Sequence, residues 1–360
     1  MRKILFLVNH EVVIYNFRLE IVERFLSDGH EVHVSSPGGE KINKLIDMGV
    51  IHHEMQIERH GMNPKKELEL LKKYNQLMKE VRPDIILGFT IKPNIYGAIA
   101  ARKNKIPFVA NITGLGVALE NKGIRQKILI LLYKYAFRDI QTVFFQNEEN
   151  KQFFVDHKIA TDAHDMLPGS GVNLQRFVYQ EYPDDSIVKF LFISRIMKEK
   201  GIDYYLECAE TIKKEYSNVE FHVCGFCEDE YDGQLQEFCE RGIVIYHGMI
   251  SNVADFIKDM HCIVHPTYYP EGISNVLLEA CATGRPIITT DRSGCREVVK
   301  DEYNGYMIPQ RDSQALVLSV RKFLKLNYKE KAQMGRNARS KVEREFDRNI
   351  VVQKYVDKLR

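Results

Sequence analysis

No stretch of the sequence approaches the ~18 consecutive apolar residues of a membrane span. The apolar run ILFLV after Arg2-Lys3 is too short for the core of a secretory signal and reads instead as a first buried β-strand. Net charge is equally scarce. The 51 Lys and Arg nearly balance the 49 Asp and Glu, leaving +2, so no field strong enough to capture nucleic acid is expected. Cysteine is absent before Cys208, and all seven lie between Cys208 and Cys295. An odd number without scaffold-like spacing argues against a disulfide framework and for a reducing cytoplasm. The lone C-x-x-C, Cys224 and Cys227, lacks the second pair that a zinc site needs, and both are read as structural. Glu228-Asp229-Glu230 reads as the charged first turn of a helix rather than a metal site.

What is present is a recurring alternation of short apolar runs with amphipathic stretches. KILFLV (3–8), EVHVSS (31–36), DIILGF (84–89), PFVANI (107–112) and TVFFQN (142–147) read as strands, with a helix from Tyr15 to Gly29 and others between the later strands. A second series follows: KFLFIS (189–194), EFHVCG (220–225), IVIYHG (243–248), CIVHPT (262–267) and PIITTD (286–291). Repeated β-α-β units with apolar strands imply parallel sheets covered on both faces. A chain of 360 residues exceeds the ~250–300 that one core usually supports. The expectation is therefore an α/β protein of two doubly wound domains. The first spans 1–175, the second 176–346, and a last helix over 347–360 crosses back to the first. Ligands of such sheets bind beyond the carboxyl ends of the strands, so two facing sheets would form a cleft.

Two segments stand at such ends. After CIVHPT comes EGISNVLLE, Glu271 to Glu279. Gly272 permits close backbone approach, and Ser274 and Asn275 are good N-terminal caps. The free N–H groups and dipole of a helix starting there suit a diphosphate. Carboxylates at Glu271 and Glu279 can accept from sugar and ribose hydroxyls. On spacing alone, a capped amphipathic helix with two solvated glutamates explains the segment better. KFLFIS runs into ISRIMKEKG, Ile193 to Gly201, in which Arg195 and Lys200 could clamp a diphosphate and stabilise charge growing on it as a bond breaks. Taken alone, a solvated basic loop is the stronger reading.

In order, F-I-S-R-x-x-x-x-K-G, Gly225 after the next strand, His247-Gly248, and E-x7-E resemble the retaining glycosyltransferases of family 4. The resemblance implies the GT-B fold, two Rossmann-like domains facing a cleft, and a metal-independent transfer without cofactor. It further implies that Arg195 and Lys200 hold the diphosphate of a UDP-sugar and that Glu271 contacts the donor sugar. Gly272 and the backbone of Ile273, Ser274, Asn275 and Val276 would meet sugar and phosphate. Glu279 would hold the ribose, and the loop from His247 and Gly248 to Ile250 would lie beside the base. The first domain departs from the family pattern: no glycine pair follows the first strand, and Thr113 falls where a histidine is expected. The leaving diphosphate can itself take the acceptor proton in a retaining front-face reaction.

IYNFR (14–18), RHGMNP (59–64), TIKPNIYG (90–97) and ITGLG (112–116) look like the bacterial enzymes that extend undecaprenyl-diphosphate-linked glycans in capsule, exopolysaccharide and N-glycan assembly. That likeness makes Arg18, Arg59 and Lys92 candidates for the acceptor diphosphate and Thr113 and Gly114 candidates for the acceptor side. It implies a lipid-linked saccharide acceptor, transfer of a HexNAc or hexose, and a cytoplasmic enzyme peripheral to the inner face of the membrane. The segment KGIRQKILILLYKYAFR (122–138) reads equally as a basic interfacial helix on anionic lipid or as a buried crossover helix. A nucleotide-sugar epimerase of the same two-domain architecture is the alternative enzyme, and a non-catalytic sugar-nucleotide-binding subunit the alternative from another class. Neither first βα turn reads G-x-G-x-x-G, which disfavours a nicotinamide dehydrogenase.

Overall fold

A computed structural model describes residues 1–58, 63–227 and 229–359. The chain divides into two compact units, Met1–Ser170 with Arg348–Arg360, and Gly171–Asp347.

The first unit is a seven-stranded sheet of β1 (Lys3–Leu7), β2 (Glu31–Ser36), β3 (Ile51–Glu54), β4 (Ile85–Phe89), β5 (Phe108–Ile112), β6 (Thr142–Phe145) and β7 (His164–Met166), in the order β3-β2-β1-β4-β5-β6-β7. All its pairings are parallel. β1 shows why its residues make a central strand. Ile4, Phe6 and Val8 pack on one face with Ile21, Val22 and Phe25, while Leu5 and Leu7 pack on the other with Ile95 and Ala98. Both alternating sets are buried, so the strand is a continuous apolar run rather than an alternating one. The expected helix from Tyr15 to Gly29 is instead two, Val12–Phe17 and Leu19–Ser27, parted at Arg18, whose φ of −138° leaves the helical region. The last helix, Arg348–Asp357, adds Val351, Val352, Tyr355 and Val356 to the core around β1. Arg348 pairs with Glu20 at 2.9 Å, and Asn111 donates to the Tyr355 hydroxyl at 2.6 Å.

The second unit has six parallel strands: β8 (Val188–Ile193), β9 (Val219–Cys224), β10 (Ile245–Tyr246), β11 (Cys262–His265), β12 (Ile287–Thr290) and β13 (Gly305–Ile308), in the order β10-β9-β8-β11-β12-β13. Phe190 and Phe192 face one core, Leu191 and Ile193 the other. In each unit the strand order reverses beside the first strand, between β1 and β4 and between β8 and β11. Loops leaving the carboxyl ends of those neighbours diverge, which is where Rossmann-like sheets leave room for a ligand. Arg195 and Lys200 follow β8, and Glu271 follows β11, so both segments flank this point in the second unit.

Candidate active site

Backbone hydrogen bonds tie the loop after β8 to the loop after β11. Glu199 O accepts from Tyr268 N at 2.9 Å and from the Thr267 hydroxyl at 3.3 Å. Gly201 completes the contact: its φ is +82°, and a Cβ there would lie 2.1 Å from Pro266 O, so only glycine fits. This brings Lys200 Nζ into an ion pair with the Glu271 carboxylate. Lys200 is only 9% exposed. Burial pushes its amine down to about 7, the nearby Cys295 thiol opposes that shift, and the charge of Arg195 adds to it. An adjacent carboxylate such as Glu271 favours the charged amine. Arg195, exposed on the same loop, and Lys200 share one aromatic ring: their charged ends lie 5.5 and 5.0 Å from the Tyr269 ring centroid. Tyr269 is itself held, its O accepting from Arg292 Nε at 2.9 Å and its N donating to the Thr267 hydroxyl at 3.1 Å. Two cations thus converge on one ring beside a carboxylate, a surface suited to a polyanion.

The helix expected to open the E-x7-E segment runs Asn275–Thr283. Ser274 is its N-cap residue, but its side chain does not cap. Its hydroxyl turns to His265 Nε2 at 3.4 Å, correcting the expected capping role. His265 is buried at the end of β11; burial, with the charge of Lys200, pushes its imidazole down to about 3, so it is neutral. Asn275, Val276 and Glu279 lie on the half-buried face of this helix, while Leu277, Leu278, Ala280 and Cys281 are buried in the core. Gly272 and Ile273 are buried. A third loop, after β12, braces them: Ser274 N donates to Gly294 O at 2.9 Å, and a Cβ on Gly294 would lie 2.7 Å from Gly272 O.

Gly225 ends β9 with φ +136°, and a Cβ there would meet Ser194 O at 1.7 Å, directly before Arg195. Its N donates to Gly248 O at 2.9 Å, fixing the His247-Gly248 turn beside the end of β9. His247 is exposed and stacks on His222, their ring nitrogens 2.9 Å apart. Ile250 packs against the core that contains Leu277.

Tyr269, His265 and Gly294 were not singled out from the sequence. Tyr269 and His265 sit inside or just after an apolar strand, where nothing in composition separates a functional ring from a packed one.

Of the expected acceptor residues in the first unit, Lys92 follows β4, and Thr113 and Gly114 follow β5. Arg18 is 1% exposed, its guanidinium 5.2 Å from the Phe89 ring centroid. Burial lowers its affinity for a proton, and Tyr355 is its largest compensating neighbour. Lys92 forms a 2.6 Å ion pair with the buried Glu67 and lines a pocket of 350 Å³ with Lys66, Lys73, Glu58 and Glu67. Thr113 and Gly114 follow β5 and are half-buried, with Gly114 at φ +147°. Arg59 lies outside the described residues, as does Glu228. The first residue of the TIKPNIYG segment stands at the reversal point of this sheet. Thr90, directly after β4, has φ +69° and a buried hydroxyl without a hydrogen-bond partner. A β-branched residue in that region is a backbone outlier of the kind concentrated at functional sites. Among the described residues no group of three or more His, Cys, Asp or Glu is placed to hold a metal ion.

Two Rossmann-like sheets, and a cationic pair with a carboxylate at the reversal point of the second, define a GT-B glycosyltransferase. Residues 175–341 match the family model described as Glycosyl transferases group 1, and residues 3–147 match the one described as Glycosyl transferase 4-like. The chain thus carries two glycosyltransferase domains and is an enzyme that transfers sugars. It is 27% identical over 368 residues to the N,N'-diacetylbacillosaminyl-diphospho-undecaprenol alpha-1,3-N-acetylgalactosaminyltransferase of Campylobacter jejuni, covering 98% of this chain and 96% of that one. It is 24% identical to the UDP-Gal:alpha-D-GlcNAc-diphosphoundecaprenol alpha-1,3-galactosyltransferase of Escherichia coli, over 82% of this chain and 79% of that one. The Anabaena protein HepE, solved in complex with UDP and glucose, superimposes with a TM-score of 0.82 at 17% identity, over 100% of this chain and 99% of that one.

Proposed function

We propose that the enzyme moves a hexose or N-acetylhexosamine from a UDP-sugar to a hydroxyl of a saccharide carried on a polyprenyl diphosphate, with retention of anomeric configuration and without a metal. The observation that carries this reading is the convergence of Arg195 and Lys200 on Tyr269 beside Glu271. Before a donor arrives, Glu271 is the counter-charge of Lys200. A donor diphosphate replaces it in that role, and the Glu271 carboxylate then accepts from hydroxyls of the sugar. As the bond from the anomeric carbon to the diphosphate oxygen breaks, charge grows on that oxygen, and the buried Lys200 with Arg195 beside it stabilises that charge more than water does. The acceptor oxygen bonds the anomeric carbon on the same face, and its proton passes to the departing phosphate. Glu279, on the open face of its helix with Asn275 and Val276, holds the ribose, and the His247-Gly248 to Ile250 turn lies beside the base.

The acceptor class rests on the relatives from Campylobacter jejuni and Escherichia coli, whose names specify diphospho-undecaprenol-linked sugars. Thr113 and Gly114 would line the acceptor side, with Lys92 near the acceptor diphosphate. Such an acceptor places the enzyme in the cytoplasm at the inner membrane face. The test is transfer from a UDP-sugar panel to a polyprenyl-diphosphate-linked saccharide, with wild type and Lys200→Ala side by side. Product from the wild type and almost none from the variant is expected; equal rates would remove the cationic pair from the chemistry.

A further inference from the structure

The helix Ile124–Ala136 in the first unit is apolar on two opposite faces. Leu129, Ile130, Tyr133 and Ala136 are buried, as the core requires. Ile124, Ile128, Leu131 and Tyr135 point the other way and are 78%, 40%, 65% and 47% exposed. At 3.6 residues per turn these four fall within about 60° of one another, so they form one continuous stripe. Cations border it: Lys122, Arg125, Lys127, Lys134 and Arg138 are all exposed, and no acidic residue occurs from 122 to 138. The C-terminal end of the stripe is braced. The guanidinium groups of Arg102 and Arg138 lie 4.5 and 5.4 Å from the Tyr135 ring centroid, and Arg102 also donates to Tyr135 O at 2.6 Å.

We infer that this face docks on an anionic lipid surface. Scattered exposed apolar residues need no partner, but four aligned on one helix and ringed by cations fit the boundary between acyl chains and acidic headgroups. The aliphatic residues would enter the acyl boundary, the tyrosine would sit at headgroup level, and the lysine stems would reach outward to phosphate. No described helix is long and apolar enough to cross a membrane, so the helix would lie on the surface. A second copy of the chain is the less suitable occupant. A two-fold pairing through this face would bring like-charged borders together. Docking here is independent of the transfer chemistry and rests on the proposed lipid-linked acceptor only for its purpose.

The experiment is co-sedimentation of the full chain with phosphatidylcholine vesicles, with and without phosphatidylglycerol, at low and high salt. Binding only to the anionic vesicles, weakened by salt, is expected. Leu131→Glu should lower partitioning by about tenfold or more, and Lys127→Ala with Lys134→Ala by about fivefold for each cation removed. Thermal melting and sugar transfer to a water-soluble acceptor should be unchanged in both variants, which separates a docking defect from a failure of the proposed reaction. Absence of binding to anionic vesicles at low salt, or unaltered binding by Leu131→Glu, overturns the inference. So does a wild-type dimer that Leu131→Glu converts to monomer.

Discussion

Lys200 is the residue on which the proposed chemistry turns. It is buried, it faces Glu271, and burial pushes its amine down to about 7. Lys200→Ala should lower kcat/KM by about a hundredfold or more, the usual loss when a preorganised transition-state charge is removed. A melting curve like that of wild type would show that the loss is not unfolding. The lowered amine pKa also predicts a pH effect. The free enzyme loses this cation as pH rises through about 7, so affinity for a UDP-sugar should weaken from pH 6 to pH 8, and Lys200→Ala should flatten that slope. Titration calorimetry across the range checks both. Arg195, Lys200, Glu271 and Glu279 stand out in the sequence only through the ordered resemblance to a known family, because their spacing alone favours a solvated basic loop and a capped helix. Tyr269 and His265 do not stand out, because their roles come from neighbours distant in sequence: Tyr269 gathers two cations from another strand end, and His265 takes the Ser274 hydroxyl that capping rules assign to a helix. Nor does the sequence report depth: the guanidinium of Arg18 lies buried beside the Phe89 ring inside the first unit.

At the level of elements, glycine places the loops. Gly201→Ala would force a Cβ to within 2.1 Å of Pro266 O at a φ of +82°. The cost should be on the order of 1–3 kcal/mol, seen as a lower midpoint in urea, and weaker UDP-sugar binding should accompany it because Lys200 is the preceding residue. An unchanged midpoint and affinity would contradict the loop-to-loop account. The central strands were legible because both faces of each are buried, giving unbroken apolar runs. β3 and β7 were not, since IHHE and HDM are short and polar strands at the sheet edges. β13, GYMI, was hidden by its length and by Gly305, where a Cβ would meet Ile287 O at 1.9 Å.

Across the whole molecule, the second unit carries its own acid sensitivity. His261 accepts from Lys189 N at 3.1 Å and donates to Asp184 O at 2.9 Å, which fixes a neutral ring. Burial pushes it down to about 4, and His265 lies at about 3. An unfolded chain binds protons at both rings near pH 6.5 and the folded one only well below it. Stability is therefore complete above about pH 6.5 and falls as pH drops toward 4. His261→Gln should flatten the dependence of urea midpoint on pH in that window. Arg285 is a second pillar, fully buried and donating to the carbonyls of Gln180, Glu181, Lys258 and Gly284. Arg285→Ala strands those acceptors and should cost about 3 kcal/mol or more, read from the same denaturation curves.

The reaction itself is tested most directly by presenting UDP-sugars with and without a polyprenyl-diphosphate-linked saccharide, in EDTA, and resolving the products by NMR. One UDP-sugar should be consumed rapidly only when acceptor is present, chelation should not stop it, and the new linkage should be α. Conversion of the UDP-sugar to its epimer without acceptor, a β-linkage, or full loss of transfer in EDTA with rescue by Mn²⁺ would contradict the proposed reaction.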